Sequence, residues 1–434
     1  MKKLHILISL LFVTLFAVAQ TSELEEFLKS QPQIVSVEKI EGNSFFTATY
    51  KIMVEQPVDY SDRSRGSFRQ RVFVADKGKE NPVLLITEGY GAGYAGNSWY
   101  LNELSPMLNS NQICVEHRYF GESWPVPLSW EYLTVANAAA DHHKITELLK
   151  KYYSGKWINT GISKGGQTAV YHRSLYPDDV DFTVAYVCPL NFGVEDGRHE
   201  KFIKNVPGTA EQREKIKQFQ LAVLKNRSEI LPKLQAFSDE KNFTYKIPMD
   251  EVLDYCVLEY SFSIWQWGRS IDEIPDADAG ADELFNHLLK VSGPAYFAEE
   301  GMENIKSFFI QAARELGYYG YDTKPFKKYL SIKSAKNYLS RIFLPDGVRI
   351  KYVKATSKKV KQFIKTTDSK ILFIYGEFDP WSASAFKVPE KNNFLKIVKP
   401  GGSHSTRINN LPENQKEQVK FTLEEWLEHP VNIE

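Results

Sequence analysis

Apolar positions follow two periodicities along the 434-residue chain, and the switch between them sets its organisation. A helical stretch over 21–32 is followed by three runs, 34–37, 45–54 and 67–74, rich in Val, Ile, Phe, Tyr and Thr and bounded by polar turns, as strands are. The run 83–86 is apolar at every position, as in a parallel strand buried on both faces. A second such strand covers 112–116. The spacing then predicts a helix over 132–152, with Leu133, Ala136, Ala140, Ile145, Leu148 and Leu149 on one face. A strand end at 157–160, a helix over 166–175 and a strand over 183–187 complete an alternation that predicts a parallel sheet with helices on both faces.

From 193 to 355 the pattern is helical, with segments at 210–237, 249–267, 281–291 and 296–316. An insertion of roughly 160 residues is far longer than a loop. Its place between strands makes it a cap over their C-terminal ends. Trp265, Trp267, Tyr296, Tyr318 and Tyr319 either line a pocket beneath it or form the cap's own core. Strand patterns resume at 371–375 and 393–398, and a helix over 412–428 ends the chain. The expected fold is α/β, a mostly parallel central sheet with a large helical cap inserted between the later strands. Its parts are a first α/β segment, 20–192, the cap, 193–355, and a second α/β segment, 356–434.

The N-terminus reads as a leader. Met1-Lys2-Lys3 precedes an apolar run over 6–18, and Ala17-Val18-Ala19 places small residues where a signal peptidase reads. Cleavage after Ala19 is expected, giving a secreted or periplasmic protein with no further span. Charge is balanced, 54 basic against 54 acidic residues, which gives no electrostatic footprint for nucleic acid. Three cysteines, Cys114, Cys188 and Cys256, are no disulfide framework. No metal-ligand spacing or nucleotide motif points to a cofactor.

The candidate chemistry starts at Gly161-Ile162-Ser163-Lys164-Gly165. This Gly-x-Ser-x-Gly lies between a strand and a helix, the context in which a strained turn projects a serine hydroxyl above a sheet. Asp379 follows the strand at 371–375, and His404 follows the strand at 393–398 in Gly401-Gly402-Ser403-His404. The order Ser163, Asp379, His404 is that of a nucleophile, the acid that orients its base, and the base. Of the other histidines, His172 sits on the helix behind the serine and is expected to pack there. Oxyanion donors are expected from the backbone N–H of Lys164 and, in the glycine-rich loop 87–93, of Tyr90.

Several separated motifs carry a family resemblance. Gln56-Pro57-Val58-Asp59, Ser67 to Arg71, Glu116 to Ser123 and Asp379-Pro380-Trp381 resemble the secreted prolyl-carboxypeptidase and dipeptidyl-peptidase family of serine peptidases. Ser163 to Thr168, Tyr176 to Asp181 and Gly401 to Ile408 are more similar to its bacterial relative, the secreted tripeptidyl-aminopeptidase family. The resemblance implies Ser163 as nucleophile, Asp379 as acid, His404 as base, a helical cap, and a structural role for Glu116 and Arg118. It also implies an exopeptidase acting on peptides with free N-termini. Such an enzyme must hold an ammonium group, for which Glu88, Glu122, Glu299, Glu300, Glu315 and Glu377 are the candidates. An esterase or lipase with the same three residues is the alternative, and a non-catalytic binding protein on this scaffold a third.

Overall fold

The computed structural model describes residues 22–433, so the expected leader lies outside the described residues. The strands β1 (Ile34–Ile40), β2 (Ala48–Pro57), β3 (Ser67–Asp76), β4 (Val83–Thr87), β5 (Asn111–Val115), β6 (Trp157–Ile162), β7 (Phe182–Tyr186), β8 (Lys370–Gly376) and β9 (Phe394–Lys399) form one sheet. Its order is β1-β2-β3-β5-β4-β6-β7-β8-β9. From β1 through β3 to β5 neighbours pair antiparallel; from β5 to β9 they pair parallel. The chain leaves β4 toward β5 on one side and returns to β6 on the other. That reversal opens a crevice at the carboxyl ends of the strands.

Alternation along each strand feeds two helix layers. Val83 and Leu85 of β4 pack with Leu24 and Leu28 of α1 (Glu23–Ser30). Leu84 and Ile86 pack on the other face with Leu104 and Met107 of α2 (Leu104–Leu108). The layers are completed by α3 (Val135–Leu149), α4 (Lys164–Leu175) and a C-terminal helix over 413–427. A buried pair ties the frame together. Arg118 donates to both oxygens of Asp141 on α3, at 2.6 and 2.7 Å, and to the Val58 carbonyl at 2.8 Å. Removing one partner of a buried pair typically costs about 3–5 kcal/mol, because the other charge is left dry.

Among the described residues no strand lies between β7 and β8. That segment holds α5 (Arg198–Asn205), α6 (Ala210–Lys225), α7 (Arg227–Glu240), α8 (Met249–Gln266), α9 (Ala281–Ser292), α10 (Glu299–Met302), α11 (Lys306–Gln311) and α12 (Lys354–Thr366). The C-terminal helix is α13 (Glu413–Leu427). Helix α8 is the axis of the lid, with α6, α7 and α9 packed around it. Two expected helices are broken. The stretch 210–237 is α6 and α7, separated at Asn226, whose side chain turns back to the Ala222 carbonyl. The stretch 296–316 is α10, α11 and a wider π turn, Ala312–Leu316, ended by Gly317 at φ 73°. The lysine-rich α12, which no expectation covered, packs on α4 through few apolar residues, Val360 and Ile364.

Candidate active site

Three strand ends converge above the sheet. At the end of β6 the chain enters α4 through Ser163, which takes φ 56° and ψ −118°. A side chain is strained there, and the fold holds it with bonds on both sides. The Ser163 N–H donates to the Tyr186 carbonyl, and its carbonyl accepts from Gln167 N–H, each at 2.9 Å. The glycines permit the turn. A Cβ on Gly161 would lie 2.2 Å from the Gly165 carbonyl carbon, and one on Gly89 would lie 2.7 Å from the Gly165 nitrogen. The Lys164 N–H lies in the first turn of α4, where backbone donors lack intrahelical acceptors.

Asp379 caps the short 3-10 turn Pro380–Ser384 after β8, accepting from Trp381 N–H at 3.1 Å through Oδ1. Its Oδ2 accepts from His404 Nδ1 at 2.7 Å, and the carboxylate is fully buried. With Nδ1 held by the carboxylate, Nε2 is the ring nitrogen left for a hydroxyl. Ser163 and His404 line one cavity of about 580 Å³, together with Tyr90, Lys164 and Trp381 from the sheet side. The lid walls it with Trp267, Tyr296, Phe308, Tyr318 and Tyr319. Trp265, the fifth of the aromatics read as either pocket or cap core, does not reach the cavity; it turns to the other side of α8 and meets Phe378 edge-on at 5.7 Å. A lid histidine braces the acid loop. Buried His199 contacts the Pro380 carbonyl at 3.0 Å through Nδ1 and Asn191 Oδ1 at 2.9 Å through Nε2.

The loop after β4 is held from three sides. Glu116 at the end of β5 accepts from Ala92 N–H and from the Ser123 hydroxyl, each at 2.8 Å, and pairs with Arg71. Lys164 turns its side chain inward, donates to the Gly89 carbonyl, and sits 5.3 and 5.0 Å from the Tyr90 and Phe120 rings. Burial pushes its pKa well below the ordinary lysine value, with the nearby Glu88 opposing. Glu88 accepts from the Tyr94 hydroxyl and from Gly89 N–H, and burial raises its carboxyl. The Tyr90 N–H also draws on that carboxylate.

Of the six glutamates proposed for an ammonium group, only Glu88 lines the cavity. Glu122 is claimed by Arg71 and Lys51 at the outer end of the sheet. Glu299 and Glu300 turn to Thr244 on the lid surface. Glu315 caps α3 at Val135 N–H and accepts from Thr356, away from the cavity. Glu377 accepts from Gly401 N–H on an exposed loop. Each is occupied by its own fold contact. A seventh glutamate, Glu259 of α8, which is not among those candidates, does line the cavity and is 4% exposed. Its signal was a lone carboxylate inside the apolar run Cys256 to Trp265.

His172 lies behind the serine, fully buried, contacting Asp179 at 2.7 Å and Asn159 at 3.2 Å. The three cysteines are buried and free. Among the described residues no helix is long and apolar enough to cross a membrane.

The family model of the PS-10 peptidase S37 matches residues 18–431. The prolyl tri/tetrapeptidyl aminopeptidase of Streptomyces mobaraensis is 28% identical over 406 residues, covering 91% of this chain and 82% of that protein. The lysosomal Pro-X carboxypeptidase of Homo sapiens is 31% identical over 140 residues, covering 29% of this chain and 28% of its own. Among solved structures, the proline iminopeptidase of Mycobacterium smegmatis aligns over 87% of this chain and 99% of its own, with 13% identity and a TM-score of 0.45. The family match spans both sheet segments and the whole lid between them, and by it the chain belongs to the PS-10 peptidase S37 family, as a serine peptidase on the α/β-hydrolase fold.

Proposed function

We propose that this serine peptidase is an exported aminopeptidase that releases short peptides from free N-termini. The observation that carries this reading is the cavity itself. Its floor is Ser163 and His404, its far wall is the lid, and its volume of about 580 Å³ suits a few residues rather than a folded chain. The likeness to the Streptomyces mobaraensis aminopeptidase across 91% of the chain supports the same class of substrate. Aromatic walls suit a proline or another apolar side chain beside the cut bond.

In this reading His404 Nε2 takes the Ser163 proton as Oγ attacks the carbonyl, then gives it to the leaving amine. Asp379 fixes the imidazole tautomer and stabilises the imidazolium. The Lys164 N–H holds the oxyanion, and the Tyr90 N–H joins it by leaving the Glu88 carboxylate that it otherwise draws on. Water then attacks the acyl-enzyme by the same proton relay, releasing the N-terminal fragment as an acid.

The test is hydrolysis of aminoacyl, dipeptidyl and tripeptidyl p-nitroanilides, each free and N-acetylated, with a short-chain ester and a Ser163→Ala variant beside them. Cleavage of the free forms, lost on acetylation and in the variant, is expected. Ester turnover without anilide cleavage, or equal rates on free and acetylated peptides, would overturn the reading.

A further inference from the structure

Glu259 presents a problem of physical chemistry that the serine machinery does not account for. Its carboxylate is nearly buried and reaches the cavity wall, yet among the described residues it has no cationic partner. It has three hydroxyl donors instead. Ser263, one turn further along α8, donates to Oε1 at 2.6 Å, and Tyr319 and Tyr321 each donate to Oε2 at 2.8 Å. A carboxylate has about four acceptor positions, so this arrangement leaves one unfilled. A buried charge costs several kcal/mol unless it is paired, so a site built this way gains from a cation brought by a ligand. Burial outweighs the pull of the three hydroxyls and leaves the carboxyl raised to about 7. The same lid position carrying a glutamine would satisfy those hydroxyls without that cost.

We infer that Glu259, oriented by Ser263, Tyr319 and Tyr321, binds the α-ammonium group of the peptide substrate and sets how far from the N-terminus the chain is cut. The inference rests on the aminopeptidase reading above and names the residue that would enforce it. The placement along α8 fits. Glu259 precedes Gln266 by seven positions, and at ~1.5 Å rise per residue the two stand about 10 Å apart along the helix axis. The Gln266 carbonyl accepts from His404 N–H, so that offset runs from the reacting end of the cavity to the anchor. An extended peptide covers about 10 Å in three residues. Glu88, the other cavity carboxylate, is the poorer anchor. It is bound by Gly89 N–H and the Tyr94 hydroxyl and has Lys164 as a cationic neighbour. It also stands on the oxyanion loop, beside the reacting carbon rather than several residues away.

The experiment compares wild type with Glu259→Gln and Tyr319→Phe on one tripeptidyl p-nitroanilide, free and N-acetylated, reading the ratio of the two kcat/KM values on the same preparation. A ratio cancels any loss of folded enzyme. Fluorophosphonate labelling of Ser163 is followed in parallel. Wild type is expected to favour the free peptide. Glu259→Gln is expected to lower that preference on the order of 100-fold, the scale for losing one side of a buried charge pair. Tyr319→Phe should lower it several-fold, and labelling rates should hold in both. If wild type prefers the free peptide and Glu259→Gln keeps that preference, the anchor assignment is wrong and the aminopeptidase reading stands. If wild type shows no preference, both fall together.

Discussion

The backbone N–H of His404 donates to the carbonyl of Gln266, 2.9 Å away, so the histidine of the site hangs from the last turn of a lid helix. Carbonyls in that turn have no intrahelical donor, and His404 supplies one. The lid is therefore part of the frame that places the imidazole as well as the roof of the cavity.

This coupling predicts that disturbing the end of α8 harms turnover more than stability. Gly268 sits just beyond it at φ 60°, and a Cβ there would lie 3.0 Å from the Ser403 side chain, next to His404. Gly268→Ala should lower kcat about tenfold while reducing unfolding free energy by about 1–2 kcal/mol, the cost of a left-handed conformation for an L-residue. Steady-state kinetics beside urea denaturation would decide it; unchanged kcat would separate the lid from the histidine.

Asp379→Asn should leave the 3-10 cap intact, because the amide oxygen still accepts from Trp381 N–H. It would offer an amide N–H to His404 Nδ1 in place of an acceptor, favouring the wrong imidazole tautomer. A drop in kcat of about 10⁴ with little change in KM is expected. Activity within tenfold of wild type would remove Asp379 from the mechanism.

Lys164 holds the Gly89 carbonyl from below. The peptide unit is planar, so fixing that carbonyl fixes the Tyr90 N–H on the opposite side. Lys164→Met keeps the α4 backbone donor but releases the loop and leaves Glu88 without its cationic neighbour. The expected loss is about 10²-fold in kcat, the scale of one oxyanion donor. Slower fluorophosphonate labelling of Ser163 should accompany it, and normal labelling would argue against the role.

His199 predicts a pH dependence of stability. Burial lowers its pKa from the ordinary histidine value of 6.5 to about 4. Between those values the unfolded chain binds more protons than the fold. Stability from this group is complete above 6.5 and is lost as pH falls through 4. Its share is about 3 kcal/mol at 1.36 kcal/mol per unit. The urea midpoints of wild type and His199→Gln, measured from pH 7 to 4, should converge on the acid side; a constant gap would contradict it.

The serine turn was legible because its causes are local. Two glycines flank Ser163 at fixed spacing, a strand precedes them and a helix follows, and a side chain at Gly161 has no room. Asp379 and His404 were legible because each lies just past an apolar strand, where an α/β sheet presents its chemistry. The six glutamates proposed as anchors show the opposite case. Glu315 and Glu122 look alike in sequence, yet one caps a helix and the other pairs with arginine and lysine, and neither faces the cavity. A carboxylate's partners come from distant segments, and periodicity carries no record of them.

Apolar spacing and turn sterics along short stretches of chain laid out the strands, the helical insertion between β7 and β8, and the serine, acid and histidine at strand ends, but not the breaks within 210–237 and 296–316 or helix α12. Only the tertiary structure decided which aromatic residues wall the cavity, that His404 hangs from Gln266, and that Glu259 faces inward among Tyr319, Tyr321 and Ser263. Helix α8 is buried on nearly every side, so apolar spacing does not tell its faces apart, and the lone carboxylate at Glu259 within the run Cys256 to Trp265 is the one mark its sequence carries. Which face meets substrate was decided by α6, α7 and α9 closing around it.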